Sequence, residues 1–198
     1  MSYGLAGWIR RNLANLITFA RLSLCLALFW LIFAHRDRSG TIFILVLVAL
    51  LSDAVDGEVA RRMKIVSRFG AAFDRIVDKL FLGIMFYFFL SDQRVDLLLK
   101  TIIIPLAIVE VLLLALWMAG VAKNMDVSAS LWGKRKMIFL AVGIVAGMAK
   151  ILIEEGWSTE APNCTVPFLF LIFEASLVFA VMSLKTHFGK YRSQLPCS

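Results

Sequence analysis

Six long apolar segments dominate the sequence and restrict most strongly what the chain can fold into. A transmembrane α-helix needs about 20 predominantly apolar residues, and 61% of the 198 residues are hydrophobic. The segments lie at roughly 14–34, 41–60, 71–91, 99–120, 137–153 and 166–184. Because the connections are short, we predict an all-α integral membrane protein with six transmembrane helices, in a single domain over residues 1–198.

The first residues differ in character from the apolar segments. Within residues 1–12, Trp8 and Ile9 stand beside Arg10 and Arg11. This mixture predicts an N-terminal interfacial amphipathic helix that leads into the first span.

The net charge of +7 is unevenly distributed along the chain. Lys and Arg cluster near both termini and in the connections 61–70 and 121–136, whereas 154–165 carries three Glu and no Lys or Arg. This asymmetry predicts that both termini and both basic connections face the cytoplasm. We attribute the basic charge to topology and to membrane lipid headgroups, and we expect no nucleic-acid partner.

Four aspartates lie where the second apolar segment ends and the third begins. Asp53 and Asp56 are three residues apart, and Asp74 and Asp78 are four apart, so each pair shares one face of a helix. Two antiparallel helices with a short connection bring the pairs together. Because crowded carboxylates repel one another unless cations neutralise them, the cluster predicts a site for hard divalent ions such as Mg²⁺ or Mn²⁺.

Small residues accompany these aspartates. Gly57 and Ala60 follow Asp53 and Asp56 by four positions, and Gly70 precedes Asp74 by four. Their small size lets a bulky ligand approach the backbone on the same helix faces. The neighbouring Arg61 is placed to meet a phosphate charge.

The combined pattern resembles the motif D-x2-D-G-x2-A-R-x8-G-x3-D-x3-D of the CDP-alcohol phosphotransferase family, and every fixed position is filled here. The resemblance implies that Asp53, Asp56 and Asp74 ligate two divalent cations, Mg²⁺ or Mn²⁺. It implies that Asp78 contacts the second cation and acts as the general base on an acceptor hydroxyl.

The resemblance also assigns the donor site. CDP-diacylglycerol would be bound through Gly57, Ala60, Arg61 and Gly70. The N-terminal element Asn15-x2-Thr18-x2-Arg21 is similar to that of phosphatidylglycerophosphate synthases. Asn15 and Thr18 are assigned to the CDP group, and Arg21 is expected to reach a phosphate or a carboxylate, because an Arg in a span is costly to bury alone.

A second element bears on the acceptor. Ser130-x2-Gly133-Lys134-x-Lys136 is similar to a segment of phosphatidylglycerophosphate synthases. Lys134 and Lys136, with Arg21, are the candidate ligands of an acceptor phosphate. The resulting hypothesis is transfer of a phosphatidyl group to a small polar alcohol, best glycerol 3-phosphate, with release of CMP. Inositol phosphate, phosphatidylglycerol and serine remain alternative acceptors.

The family resemblance further implies a homodimer in the bacterial inner membrane, with the active site on the cytoplasmic side. A different class, a cation-coupled transporter, would instead place acids near the membrane centre on several helices. Glu110 and Glu174 lie within spans, and their roles stay open: each either pairs with Arg21 or another cation inside the bundle or reaches an interface.

Overall fold

The computed structural model describes residues 5–35, 38–63, 68–123, 130–157 and 165–194. Side chains are described for 19–35, 38–52, 73–123, 130–156 and 165–194. Within these residues the chain forms six α-helices and no strand, which confirms the predicted all-α class. The helices are α1 (Leu5–Ala34), α2 (Ser39–Met63), α3 (Arg68–Ser91), α4 (Leu97–Ala122), α5 (Leu131–Trp157) and α6 (Thr165–Ser193).

Three helical segments are long and apolar enough to cross a membrane by length and composition: Leu97–Ala122, Leu131–Gly156 and Thr165–Ser193. Shorter apolar helical segments occupy Phe19–Ala34 and Ser39–Ser52. The chain is therefore an integral membrane protein, as its apolar segments predict. Which side of the membrane each connection faces stays a prediction.

The first helix is longer than the first predicted span. From Leu5 onward the predicted amphipathic segment and the apolar segment form one continuous helix, α1, that ends at Ala34. Residues 1–4 lie outside the described part of the chain, and so do the side chains of 5–18. An interfacial position for the beginning of α1 stays a prediction.

The chain divides into two compact units, Met1–Met85 and Phe86–Ser198, with the boundary inside α3. In the first unit α1 packs against α2. Both helices bury apolar residues at helical spacing, as expected of one packed face each. These residues are Cys25, Leu28 and Ile32 on α1, and Ile42, Val46 and Ala49 on α2.

In the second unit α6 packs against both α4 and α5. Buried side chains again recur every three or four residues, which defines one inward face for each helix. The buried apolar residues include Leu99, Ile103 and Leu106 on α4, Leu140, Ile144 and Met148 on α5, and Leu169, Phe173 and Ala180 on α6.

Two glycines of α5 contact aromatic rings closely in the second unit. A Cβ added at Gly147 would lie 2.9 Å from Cε1 of Phe89, and one added at Gly143 would lie 3.0 Å from Cε1 of Phe173. The two rings also contact each other edge to face, with centroids 6.1 Å apart. Glycine at both positions is therefore required by packing, which is the main source of helix association inside a membrane.

Ion pairs connect the α3–α4 connection with the last turns of α5. Arg94 Nη2 lies 2.7 Å from Asp92 Oδ2, and Arg94 Nη1 lies 3.1 Å from Glu155 Oε2. The hydrogen bond with Asp92 raises the pKa of Arg94 further above its ordinary value. The buried Lys150 on α5 lies 3.0 Å from Asp96. Two ion pairs, Arg94–Glu155 and Lys150–Asp96, therefore tie the connection to α5.

We predict that Gly147→Ala destabilises the protein. The added methyl group collides with Phe89, whose ring is held by Phe88 and Phe173 and cannot easily move aside. We expect the free energy of unfolding to fall by about 1–3 kcal/mol, the usual effect of overpacking. Thermal unfolding in detergent measures the change.

Gly156→Ala is the matched control in the same helix. A Cβ at Gly156 would meet nothing within 4 Å, so this variant should be unchanged or slightly more stable, because alanine favours helix. Equal melting temperatures for the two alanine variants would contradict the packing argument.

Candidate functional site

The aspartate motif lies on two helices, at the end of α2 and the beginning of α3, within the first unit. Its first half lies in the last turns of α2, which ends at Met63, and its second half lies in the first turns of α3, which begins at Arg68. Each predicted pair of aspartates therefore lies in continuous helix, as the spacing requires. The connection 64–67 lies outside the described residues.

Two of the four aspartates have described side chains, and they converge on one cation. Arg21 Nη1 donates to Asp74 Oδ1 at 2.6 Å and to Asp78 Oδ1 at 2.8 Å. Because both oxygens lie within hydrogen-bonding distance of one nitrogen, the two carboxylates face a common point. Arg21 is 4% exposed, whereas the side chains of Asp74 and Asp78 are 49% and 28% exposed.

Arg21, Asp74 and Asp78 form a trio whose electrostatics follow from the burial of Arg21. Arg21 lies in the apolar helix α1, where an isolated guanidinium would be costly. The two carboxylates one turn apart on α3 would repel each other without a cation between them. The ion pairs resolve both costs, and the predicted contact of Arg21 with a carboxylate is confirmed.

An aromatic contact lies next to the trio. Phe19 of α1 and Phe73 of α3 have ring centroids 5.9 Å apart. The two residues stand next to or near Arg21 and Asp74 in the sequence, so the ring contact helps to align the two helices at the ion pairs. Sequence analysis missed this contact, because nothing in a single sequence distinguishes it from the other aromatic residues.

The donor set fits a hard divalent ion. Asp74 and Asp78 present oxygen ligands to a point that already attracts a cation, and carboxylate oxygens are what Mg²⁺ and Mn²⁺ prefer. Among the described side chains, no three His, Cys, Asp or Glu residues form a metal-binding group. The side chains of Asp53 and Asp56, the other two predicted ligands, lie outside that search.

The remaining donor-site predictions also concern side chains that the structure does not describe. Asn15 and Thr18 lie on α1, and Gly57, Ala60 and Arg61 lie on α2. Gly70 lies in the first turn of α3. Their assignment to the CDP group stays a prediction, supported at present by their place in the motif.

The second predicted element forms the beginning of α5, in the second unit. Ser130 precedes the helix, and its Oγ accepts a hydrogen bond from the backbone N–H of Gly133 at 3.1 Å. This contact is an N-terminal cap, which explains a serine three residues before the glycine. Of the two lysines, Lys134 is exposed and Lys136 is buried.

Lys136 pairs with an acid on the neighbouring helix. Its Nζ lies 2.6 Å from Oε1 of Glu110 on α4, and each side chain is 5% exposed. Of the two alternatives left open for Glu110, the structure therefore shows pairing with a cation inside the bundle. Glu174 of α6, by contrast, is exposed.

Comparison with known proteins identifies the family. The model of the CDP-alcohol phosphatidyltransferase family matches residues 11–184, which include both units' motifs. The chain therefore belongs to the CDP-alcohol phosphatidyltransferase family, and the resemblance predicted from the aspartate motif is confirmed.

Curated relatives match over part of their length. The chain is 33% identical over 89 residues to a CDP-diacylglycerol–glycerol-3-phosphate 3-phosphatidyltransferase of Rickettsia prowazekii, which is 44% of this chain and 49% of that protein. It is 38% identical over 65 residues to a CDP-diacylglycerol–inositol 3-phosphatidyltransferase of Drosophila melanogaster, 33% of this chain and 28% of that protein. The matched regions thus span about half or less of these relatives.

A solved structure shares the fold. The crystal structure of Mycobacterium tuberculosis phosphatidylinositol phosphate synthase, in complex with manganese and citrate, matches with a TM-score of 0.56 and 17% identity. The match covers 93% of this chain and 85% of that one. At this identity the match supports the six-helix fold and does not decide the substrate.

We predict that Arg21→Gln destabilises the protein, because Asp74 and Asp78 lose their shared cation and repel each other. Asp78→Asn should cost less stability in the Arg21→Gln background than in the wild type. We expect a coupling of about 0.5–3 kcal/mol between the two changes. Unfolding in detergent with EDTA present measures the double-mutant cycle without interference from divalent ions.

Arg38→Gln removes an exposed arginine of the same unit and serves as the control. It should leave the melting temperature unchanged. Purely additive effects of Arg21→Gln and Asp78→Asn would show that the observed ion pair does not stabilise the fold.

Proposed function

We propose that the protein is an enzyme that transfers a phosphatidyl group from CDP-diacylglycerol to a small polar alcohol and releases CMP. One observation carries the proposal: Asp74 and Asp78, two aspartates of the family motif, converge on a common point that attracts positive charge. Family membership supports the same reaction class.

In the proposed reaction the acceptor oxygen attacks the β-phosphorus of CDP-diacylglycerol. A bond forms between that oxygen and phosphorus, the bond from phosphorus to the bridging oxygen breaks, and CMP leaves with the electron pair. Asp78 accepts the hydroxyl proton as general base. Its side chain is 28% exposed, so an acceptor has access to the carboxylate.

We assign two divalent cations, Mg²⁺ or Mn²⁺, to Asp53, Asp56, Asp74 and Asp78. When bound, they would neutralise charge on the phosphoryl oxygens and on the leaving phosphate. The manganese in the fold neighbour's crystal is consistent with this assignment. Gly57, Ala60, Arg61 and Gly70, with Asn15 and Thr18, are assigned to the CDP group; Arg61 supplies charge and the small residues supply space.

We propose glycerol 3-phosphate as the acceptor, because the Rickettsia relative is named for it. Inositol phosphate is the principal alternative, since the fold neighbour is named a phosphatidylinositol phosphate synthase. Phosphatidylglycerol and serine are further alternatives. The sequence pattern makes Lys134, Lys136 and Arg21 candidate contacts of an acceptor phosphate; of the two lysines, only Lys134 is exposed.

The proposed setting is a homodimer in the bacterial inner membrane, with the active site and both termini on the cytoplasmic side. The acyl chains of CDP-diacylglycerol stay in the bilayer, which suits a site carried by the ends of membrane helices. The basic connections between spans support this orientation.

We predict metal-dependent CMP release by protein purified in detergent. The assay supplies CDP-diacylglycerol, Mg²⁺ or Mn²⁺, and a panel of the four acceptors, and it measures CMP and the lipid product. EDTA should abolish the reaction. Asp78→Asn should lower kcat by roughly 10²- to 10⁴-fold, the usual contribution of a general base.

Asp96→Asn is the matched control, because Asp96 lies in the α3–α4 connection outside the motif, and its partner Lys150 keeps Glu154. It should retain wild-type activity. Full activity in Asp78→Asn would contradict the base assignment, and no CMP with any acceptor in folded protein would contradict the proposed function.

A further inference from the structure

The two lysines of the α5 element have different surroundings. Lys134 is exposed in the first turn of α5, whereas Lys136, two positions later, is 4% exposed. The sequence pattern treats the two as equivalent candidates for an acceptor phosphate. Their different burial distinguishes the two candidates, because a phosphate can reach the exposed ammonium group of Lys134 without breaking any contact.

The buried lysine already has a counter-charge. Glu110 of α4 lies 2.6 Å from Lys136 Nζ and is itself 4% exposed. A phosphate that approached Lys136 would also meet the negative charge of Glu110. A buried ion pair in an apolar helix bundle contributes little net stability compared with apolar side chains of the same size, but it specifies one arrangement of the two helices.

Further contacts fix the same part of α5 against α6. The hydroxyl of Ser176, which is fully buried, donates to the backbone carbonyl of Lys136 at 3.4 Å. Just before α5 begins, Ser130 Oγ and Ser183 Oγ lie 3.0 Å apart. A Cβ at Gly133 would lie 3.3 Å from Ser183 Oγ, so the glycine permits this close approach.

The first turns of α5 are thus held on two sides, by Glu110 from α4 and by serines from α6. Arg135, between the two lysines, lies over the ring of Trp132, with its guanidinium carbon 5.2 Å from the ring centroid. The element therefore leaves Lys134 exposed on a helix whose rotation and axial position are fixed. Sites on such rigid elements hold ligands with the best-defined geometry.

We propose that Glu110 and Lys136 are positioning residues, which fix the beginning of α5 that carries Lys134, the acceptor-phosphate candidate of the proposed function. This inference rests on the proposed function insofar as it requires a phosphorylated acceptor. It assigns a role to Glu110, and it removes Lys136 from the residues that touch substrate.

The test measures binding of glycerol 3-phosphate and of inositol phosphate to the purified full chain by calorimetry, without CDP-diacylglycerol. Lys134→Gln should weaken binding about 10- to 100-fold, with an unchanged melting temperature. Lys136→Met should lower the melting temperature by several degrees and also weaken binding, because it removes the cation beside the buried carboxylate of Glu110.

The decisive variant removes both charges. In Glu110→Leu/Lys136→Met, apolar side chains of similar size replace the pair, and both the melting temperature and the acceptor Kd should return to within about twofold of wild type. Lys150→Met is the control for loss of a buried lysine in α5, since Lys150 is 6% exposed and paired with Asp96 and Glu154. It should lower stability without changing the acceptor Kd.

A double variant with wild-type stability and binding still weakened tenfold would overturn the inference, because Lys136 would then contact the phosphate itself. Unchanged binding in Lys134→Gln, or no binding of either alcohol by the wild type, would overturn it as well. Wild-type protein that binds an acceptor but releases no CMP would contradict the proposed transfer reaction, while the binding data still decide the roles of the two lysines.

Discussion

The need to neutralise charge inside an apolar helical protein governs much of the arrangement described above. Arg21, Lys136 and Lys150 are each at least nine-tenths buried, and each lies within ion-pair distance of at least one carboxylate. An isolated charge in apolar surroundings is energetically unfavourable. Each ion pair therefore fixes which helices face each other and their relative position along the helix axes. The pairs thus contribute mainly specificity of arrangement.

Packing supplies what the ion pairs do not. Lipid is as apolar as the helix surfaces, so burial of apolar area does little to bring membrane helices together. In the second unit, close approach of Gly143 and Gly147 to the rings of Phe173 and Phe89 provides dense contacts instead. These contacts hold α5 in place, and α5 carries the motif assigned to the acceptor.

The proposed chemistry uses the same constraint. Carboxylates that converge near one point attract a cation, which is an arginine in the observed trio and a divalent ion in the proposed reaction. Because the aspartates lie at the ends of apolar helices, a polar headgroup and acyl chains can be accommodated at one boundary. In the proposed reaction, phosphoryl transfer would thus take place where the acyl chains of the lipid donor can stay in the bilayer.

The sequence by itself determined the all-helical class and the family, because span length and aspartate spacing are properties of contiguous residues. It also indicated that Arg21 needs a partner, since a lone charge in a span is costly, and it made pairing one of two alternatives for Glu110. Only the tertiary structure decided which partners: Asp74 and Asp78 for the former, Lys136 for the latter. Those choices depend on the relative rotation of helices distant in sequence, which the local pattern of one chain does not specify.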